Sequence, residues 1–207
     1  SEWGAIGGPF QYGDKYAHSA IVSSKETIQS EGPWGVSDKV FNYTVFNSGS
    51  LSKYILRKVP YDFEYADIQA GIGTPHAVYA EFTADETLLV RAEAQALLGH
   101  YAEALDDLNT ELAAFSREGV QLTLDDVKKF YSDDVTAYYT PEKPTPRKAF
   151  HTTFAISKDT AEPMLQCILH LRRIMTIHEG LRMQDVKRYG ITIYRRDVKS
   201  NYKITGI

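Results

Sequence analysis

The stretch that decides the fold covers residues 83–109 and reads TADETLLVRAEAQALLGHYAEALDDLN. It opens with Thr83, and Glu86 follows three residues later, which is the pattern of a capping box at a helix start. Leucine and alanine then recur at helical spacing as far as Gly99, and glycine is typical of a helix end. The helical spacing resumes at Tyr101. Because so short a link leaves two helices side by side, the stretch predicts an antiparallel helical hairpin.

Further helices are predicted downstream. A short one is expected over residues 123–131, because Thr123 is followed by Asp126 three residues later. Another is expected to begin at residues 160–161, and a last short helix ends at Gly190. The helix that begins at residues 160–161 would present one apolar face. Its members, at helical spacing, are Met164, Ile168, Leu171, Met175 and His178.

The first 80 residues differ in character from the rest. They are rich in Gly, Ser and Tyr, and carry turn signals such as residues 71–75 (GIGTP). Short β-like runs lie at 40–46 and 54–59, so we expect long ordered loops with one or two short hairpins. The predicted fold class is therefore mainly α: one helical hairpin packed with long loops and a few short strands. Residues 1–80 form the loop-rich region and residues 81–207 the helical region, within one continuous domain.

The amino-acid composition of the chain limits the kinds of molecule that it is expected to bind. The chain has 207 residues, a net charge of −4 and one cysteine, Cys167. Such a chain has no overall positive field to attract nucleic acid, and we expect no nucleic-acid partner. Cys167 lies in an apolar helical run, where a buried small hydrophobe is the favoured interpretation and a reactive thiol the alternative. No segment approaches the roughly 20 apolar residues that span a bilayer.

Two blocks of sequence resemble the SusD/RagB family. The first, residues 82–109, looks like the helical pair of that family, and its centre is similar to one tetratricopeptide repeat. The second, residues 168–190, has a helix rich in arginine, then the step Glu179-Gly180. It closes with Arg182 and the run DVKRYG at 185–190. The two blocks occur in the order that the family shows.

The resemblance implies a non-enzymatic nutrient-binding lipoprotein on the cell-surface face of a Gram-negative outer membrane. Its partners would be a SusC-like TonB-dependent transporter and an oligosaccharide or peptide ligand, without a cofactor or a metal. Family members are usually much longer and carry a lipid anchor on an N-terminal cysteine. We therefore expect this chain to correspond to a C-terminal-half portion of such a protein or to a shortened relative. The anchor is implied by the family and is not present in these residues.

Aromatic residues in the loop-rich region are the candidate ligand contacts. Sugar recognition uses flat aromatic faces with polar groups beside them. Trp34, in a Gly-Pro-Trp-Gly turn, is the first candidate because the turn could hold it outward, and Trp3, Tyr12 and Tyr16 follow. The competing interpretation is that both tryptophans pin long loops onto the helical core.

The clusters of charged residues favour internal salt bridges over a ligand-binding or catalytic site. The basic residues between 172 and 199 could form a phosphate-binding face, but the three-residue spacing of Arg182 and Asp185 favours internal salt bridges. His170 and His178 lie about 12 Å apart by helical rise, too far for one metal ion. We find no nucleophile motif or phosphate loop, so no catalytic residue is assigned and the chain is not expected to be an enzyme. A protein–protein docking module without a small ligand, and a carbohydrate-active hydrolase, remain the alternatives.

Overall fold

The protein is mainly α. The computed structural model describes residues 31–36, 40, 45–48, 53–56, 62–76, 82–132, 148–176, 181–194, 197–198 and 204–206. Within them lie five helices, three of which have 15 residues each. They are α1 (Ala84–Leu98), α2 (Tyr101–Phe115), α3 (Leu124–Phe130), α4 (Ala161–Met175) and α5 (Arg182–Tyr189). None of these helices combines the length and the apolarity needed to cross a membrane.

The described strands form four separate antiparallel pairs. In chain order they are β1 (Glu31–Gly32) with β2 (Gly35–Val36), β3 (Val45–Ser48) with β4 (Lys53–Leu56), β5 (Asp62–Asp67) with β6 (Ile72–His76), and β7 (Asp197–Val198) with β8 (Ile204–Gly206). Three of the four pairs precede α1, so the sequence prediction of one or two hairpins there was too low. The sequence predicts a turn at residues 71–75. In the structure the turn comes before Ile72, and residues 72–76 form β6.

Both ends of α1 agree with the prediction. The Thr83 side chain accepts a hydrogen bond from the Glu86 amide at 3.2 Å, which satisfies one of the unpaired amides of the first turn. Gly99 ends the helix in the left-handed conformation (φ 82°), where a side chain would be strained. Gly99 and His100 alone separate α1 from α2, and an ion pair from Arg91 to Asp107 crosses the two helices at 2.6 Å. The predicted antiparallel hairpin is therefore confirmed.

Helix α3 begins with a complete capping box. The Thr123 side chain accepts from the Asp126 amide, and the Asp126 carboxylate in turn accepts from the Thr123 amide at 2.8 Å. The Thr123 hydroxyl also donates to the Asp126 carboxylate at 2.6 Å. This bond and the one from the Thr123 amide lower the pKa of Asp126, because they favour the ionised carboxylate. The predicted helix over residues 123–131 is thus confirmed to within one residue at each end.

Helix α4 lies at the centre of the molecule. Every residue from Ala161 to Met175 except Arg173 is buried. Its start agrees with the prediction, and the described members of the predicted face are all buried, whereas His178 lies outside the described residues. The burial extends beyond that face, because α1, α2 and α3 all pack against the helix. A helix enclosed in this way must bury its polar residues too, and α4 carries Gln166, His170 and Arg172 into the core. Such groups need partners inside the protein.

Helix α5 ends at Gly190, as predicted. This glycine adopts φ 56°, and a Cβ atom there would overlap the backbone carbonyl of His151. The close approach is part of a short backbone pairing, in which the His151 amide donates to the Tyr189 carbonyl at 2.8 Å. The pairing ties α5 to the segment that leads into α4, and so fixes the position of α5 beside the core.

Candidate functional site

Glu93 occupies the centre of a buried group of charges. It lies on the face of α1 that packs inward, and its side chain is almost fully buried. One carboxylate oxygen accepts a hydrogen bond from Arg172 Nη2 at 2.5 Å. The other accepts from the Tyr189 hydroxyl at 2.5 Å and pairs with Arg188 Nε at 2.9 Å. A single glutamate on α1 is thus held by α4 and by the end of α5.

Arg172 connects this glutamate to a second carboxylate. Its Nη1 donates to Asp185 Oδ1 at 2.9 Å, and its Nη2 also donates to the Leu89 carbonyl at 3.2 Å. Asp185 lies one turn after Arg182, which approaches its other oxygen at 3.3 Å. The predicted pairing of Arg182 with Asp185 is therefore confirmed. We call Glu93, Arg172, Asp185 and Tyr189 the buried charge network.

The electrostatics of the network favour ionised side chains. Burial alone would lower the pKa of Arg172, because it disfavours the charged guanidinium. The carboxylates of Glu93 and Asp185 outweigh that effect and raise its pKa above the usual value. Burial and the hydrogen bond to Glu93 raise the pKa of Tyr189, which therefore remains a hydroxyl donor. The two carboxylates of the network share Arg172, and Arg188 and Arg182 at its edge add a further positive charge beside Glu93 and Asp185.

Aromatic rings cover the outer side of the network. The Arg188 guanidinium carbon lies 6.0 Å from the centre of the Phe154 ring and 5.8 Å from that of Tyr189. Phe150 contacts the Tyr189 ring, with centroids 5.0 Å apart. The rings thus lie against Arg188 and Tyr189, two of the groups that bind Glu93. The Glu93 side chain is buried, and a low-dielectric surrounding strengthens its ion pairs.

The network joins the two blocks of sequence that carry the family resemblance. Glu93 and Leu89 belong to the first block, and Arg172, Asp185 and Tyr189 belong to the second. Sequence reasoning predicted internal salt bridges only along one helix. It did not find the pairing of Glu93 with Arg172, which are 79 residues apart. The available signal was the presence of an acidic residue on the apolar face of α1, where a buried charge requires a partner.

Trp34 is not held outward, contrary to the first interpretation of its turn. Its side chain is 5% exposed, and its ring lies 5.0 Å from that of His170 on α4. A Cβ atom on Gly32 would overlap the indole, so this glycine lets β1 pass close to the ring. Trp34 therefore fixes the first described hairpin to the helical core, as the competing interpretation proposed. The other candidate contacts, Trp3, Tyr12 and Tyr16, lie outside the described residues.

His170 is the centre of a second buried polar cluster. Its Nδ1 shares a hydrogen bond of 2.8 Å with the Tyr131 hydroxyl at the end of α3. Burial lowers the pKa of His170, and the nearby charges of Arg173 and Arg182 lower it further. Cys167, one turn earlier, is fully buried, and burial raises the pKa of its thiol to about 12. The thiol is therefore protonated at neutral pH, which agrees with the favoured interpretation of Cys167 as a buried small residue.

Glu111 is a buried carboxyl group in a very different setting. It lies on the inward face of α2 and is 2% exposed, and its Oε1 has no hydrogen-bond partner among the described residues. Burial raises the pKa of Glu111 to about 7, and the negative charge of Asp85 on α1 contributes. Near neutral pH the group therefore alternates between a neutral acid and an unpaired carboxylate.

The described residues contain no group of three or more histidine, cysteine, aspartate or glutamate side chains suited to a metal ion. No protein-family model matches the chain, and neither the curated proteins nor the solved structures compared with it give a match. The geometry of the buried charge network suits structural coupling of three helices. Its carboxylates already accept from arginine and tyrosine, so they lack the open coordination that acid–base chemistry on a substrate requires.

Proposed function

We propose that this chain is a portion of a SusD/RagB-like nutrient-binding subunit, which captures oligosaccharide for a TonB-dependent outer-membrane transporter. The proposal rests on the resemblance of residues 82–109 and 168–190 to that family. The finer description of the α1–α2 hairpin as a tetratricopeptide-like unit is part of the same proposal. A chain with this role acts at the cell surface and performs no chemistry on its ligand.

The observation that best supports the proposal is the contact of Glu93 with Arg172. Two blocks that were identified separately as family signatures carry the opposite charges of one buried network. Buried charges need partners in any fold, so the support lies in which residues meet: both blocks contribute side chains to one helical core.

The ligand contacts of the proposal are Trp3, Tyr12 and Tyr16. Trp34 is not included, because its buried ring presents no open face to a sugar. The only tryptophans of the chain are Trp3 and Trp34, so the fluorescence signal can be divided between two variants. Trp34→Phe leaves Trp3 as the reporter, and Trp3→Phe leaves the buried indole as the matched control.

The test is titration of both variants and the unaltered chain with a panel of oligosaccharides, followed by fluorescence and by calorimetry. Saturable binding of one sugar class, with a fluorescence change in Trp34→Phe and none in Trp3→Phe, is the expected result. Calorimetry measures the heat of binding and does not depend on tryptophan. It therefore detects a bound sugar even where the Trp3 ring lies far from it. An absence of heat and of a fluorescence change across the panel would contradict sugar capture by this chain.

A docking module without a small ligand is the second candidate, because one described hairpin exposes several large apolar side chains. Tyr65, Ile68 and Ile72 are each more than half exposed on or beside β5 and β6. Exposed apolar groups of this kind are typical of interaction surfaces. Co-purification with a transporter, together with a flat response to every sugar, would favour this candidate. No observation on the described residues favours the hydrolase alternative.

A further inference from the structure

The β5–β6 hairpin is an exposed arm with a well-formed turn. The Asp67 carboxylate accepts hydrogen bonds from the amides of Gln69 and Ala70, at 2.9 and 3.0 Å, and so fixes the direction in which the chain reverses. Residues 64–72 are all exposed. Phe63 and Tyr65 touch edge to face, with ring centroids 4.8 Å apart. A two-stranded hairpin alone is marginally stable in water, so an arm of this length gains from a surface that covers it.

The arm is apolar and acidic. Ile68 is 81% exposed, Ile72 63% and Tyr65 56%. Residues 59–90 contain no lysine or arginine, and Glu64 and Asp67 are exposed on the arm itself. A surface that fits the arm must offer apolar side chains and positive charge together, because like charges across an interface are unfavourable.

A second region of the same chain has these properties. Helix α5 and the segment after it expose Met183 (55%) and Ile193 (64%), with Lys187 one turn beyond Met183 and Arg188 beside it. The acidic residue of α5 is Asp185, and it is buried in the charge network. Helix α5 itself therefore exposes Lys187 and Arg188 without an exposed acid of its own. We call Met183, Lys187 and Arg188, which lie on this one helix, the basic patch.

We propose that the acidic arm of one molecule docks on the basic patch of a second copy of this chain. The two surfaces differ, so an arm always meets a patch: two copies either exchange arms about a twofold axis, or each molecule offers an arm to one neighbour and a patch to another. The charge pattern argues against pairing of one arm with another, because Glu64 and Asp67 would then face like charges. The area of a single hairpin places the contact among the small, weak interfaces.

The test is sedimentation equilibrium of the whole chain over a range of concentrations up to about 1 mM, the regime of weak contacts. We expect concentration-dependent association that weakens when NaCl is raised from low to high, since salt screens exposed charges. Glu64→Lys and Lys187→Glu should each raise the dissociation constant by about twofold to fivefold. The double variant Glu64→Lys with Lys187→Glu should recover part of that loss, because opposite signs again meet.

Matched controls separate docking from general charge and apolar effects. Glu118→Lys and Lys158→Glu reverse equally exposed charges outside both surfaces and should leave the association unchanged. Ile68→Ser should weaken it, whereas Phe82→Ser, at a side chain that is 93% exposed outside the arm, should not. A chain that is monomeric at every concentration and salt would overturn the proposal. So would association that responds to the control reversals as strongly as to Glu64→Lys and Lys187→Glu.

Discussion

Glu93 and Glu111 are both buried glutamates of the helical hairpin, but their surroundings differ completely. Glu93 receives two arginines and a tyrosine hydroxyl, and its charge joins α1 to α4 and α5. Glu111 receives none of these, and the carboxylate of Asp85 acts on it instead. Similar burial thus accompanies a carboxylate bound by two arginines and a tyrosine in one place and a titrating carboxyl group in the other. The difference shows that partners, rather than depth alone, decide what a buried carboxyl group does.

The largest expected effect comes from removing the cation that Glu93 shares with Asp185. Arg172→Met leaves two buried carboxylates without their main partner, and we expect a loss of about 3–5 kcal/mol in the free energy of unfolding. Urea denaturation at pH 7 measures it. The control is Arg117→Met, which removes an exposed arginine outside the network. There the expected loss is below about 1 kcal/mol, and similar losses in both variants would refute the comparison.

The next effect concerns Glu111 and depends on pH. Between pH 4.5 and 7 the unfolded chain releases this proton while the folded chain retains it, so stability falls as pH rises through this window. Above pH 7 the folded carboxyl is ionised too, and the loss is complete. Glu111→Gln removes the titration, and we expect the variant to be more stable than the unaltered chain by about 1–2 kcal/mol at pH 8.

The control for that experiment is Glu118→Gln, at an exposed position. It should leave the difference between pH 5 and pH 8 as it is in the unaltered chain, when both are followed by urea denaturation. If Glu111→Gln destabilises the protein at pH 8, then the carboxylate has a partner that the described contacts do not contain. The contrast between the two glutamates would then be lost.

A smaller effect of opposite direction is expected from His170. Its folded pKa is lowered, so below about pH 6.5 the unfolded chain binds a proton that the folded chain excludes. Stability should therefore fall as pH drops from 6.5, by about 1 kcal/mol for the first unit. His170→Gln should flatten this acid limb, whereas His100→Gln, at an exposed histidine, should retain it. Thermal unfolding from pH 5 to pH 7 distinguishes the two outcomes.

Local features of the fold were predictable from the sequence, and long-range features were not. Both ends of α1 could be predicted to the residue from the helical spacing, Thr83 and Gly99. Helix capping depends on neighbours within one turn, so a local sequence pattern is enough to locate it. The β5–β6 hairpin was missed because Gly73 and Pro75 lie within a strand and disguise it as a turn. The burial of Trp34 depends on His170, which no local pattern could reveal.

The buried charge network illustrates the same limit. The sequence showed the acidic residue on α1 and the basic residues of α4 as separate features. Which of them meet is decided by the packing of α1 against α4 and by the side chains of α5 that reach Arg172 and Glu93, and these contacts join residues far apart in the chain. The candidate ligand contacts were chosen by residue type and, for Trp34, by its local turn. That choice could not foresee that the core would enclose Trp34.

The central claim is that the two signature blocks form one unit through Glu93 and Arg172, and a double-mutant cycle tests it most directly. The free energies of unfolding of Glu93→Gln, Arg172→Met and the double variant are compared with that of the unaltered chain. We predict a coupling energy of about 1–3 kcal/mol, because each substitution removes the partner of the other. Effects that add to within about 0.5 kcal/mol would contradict the claim, since independent sites behave in that way.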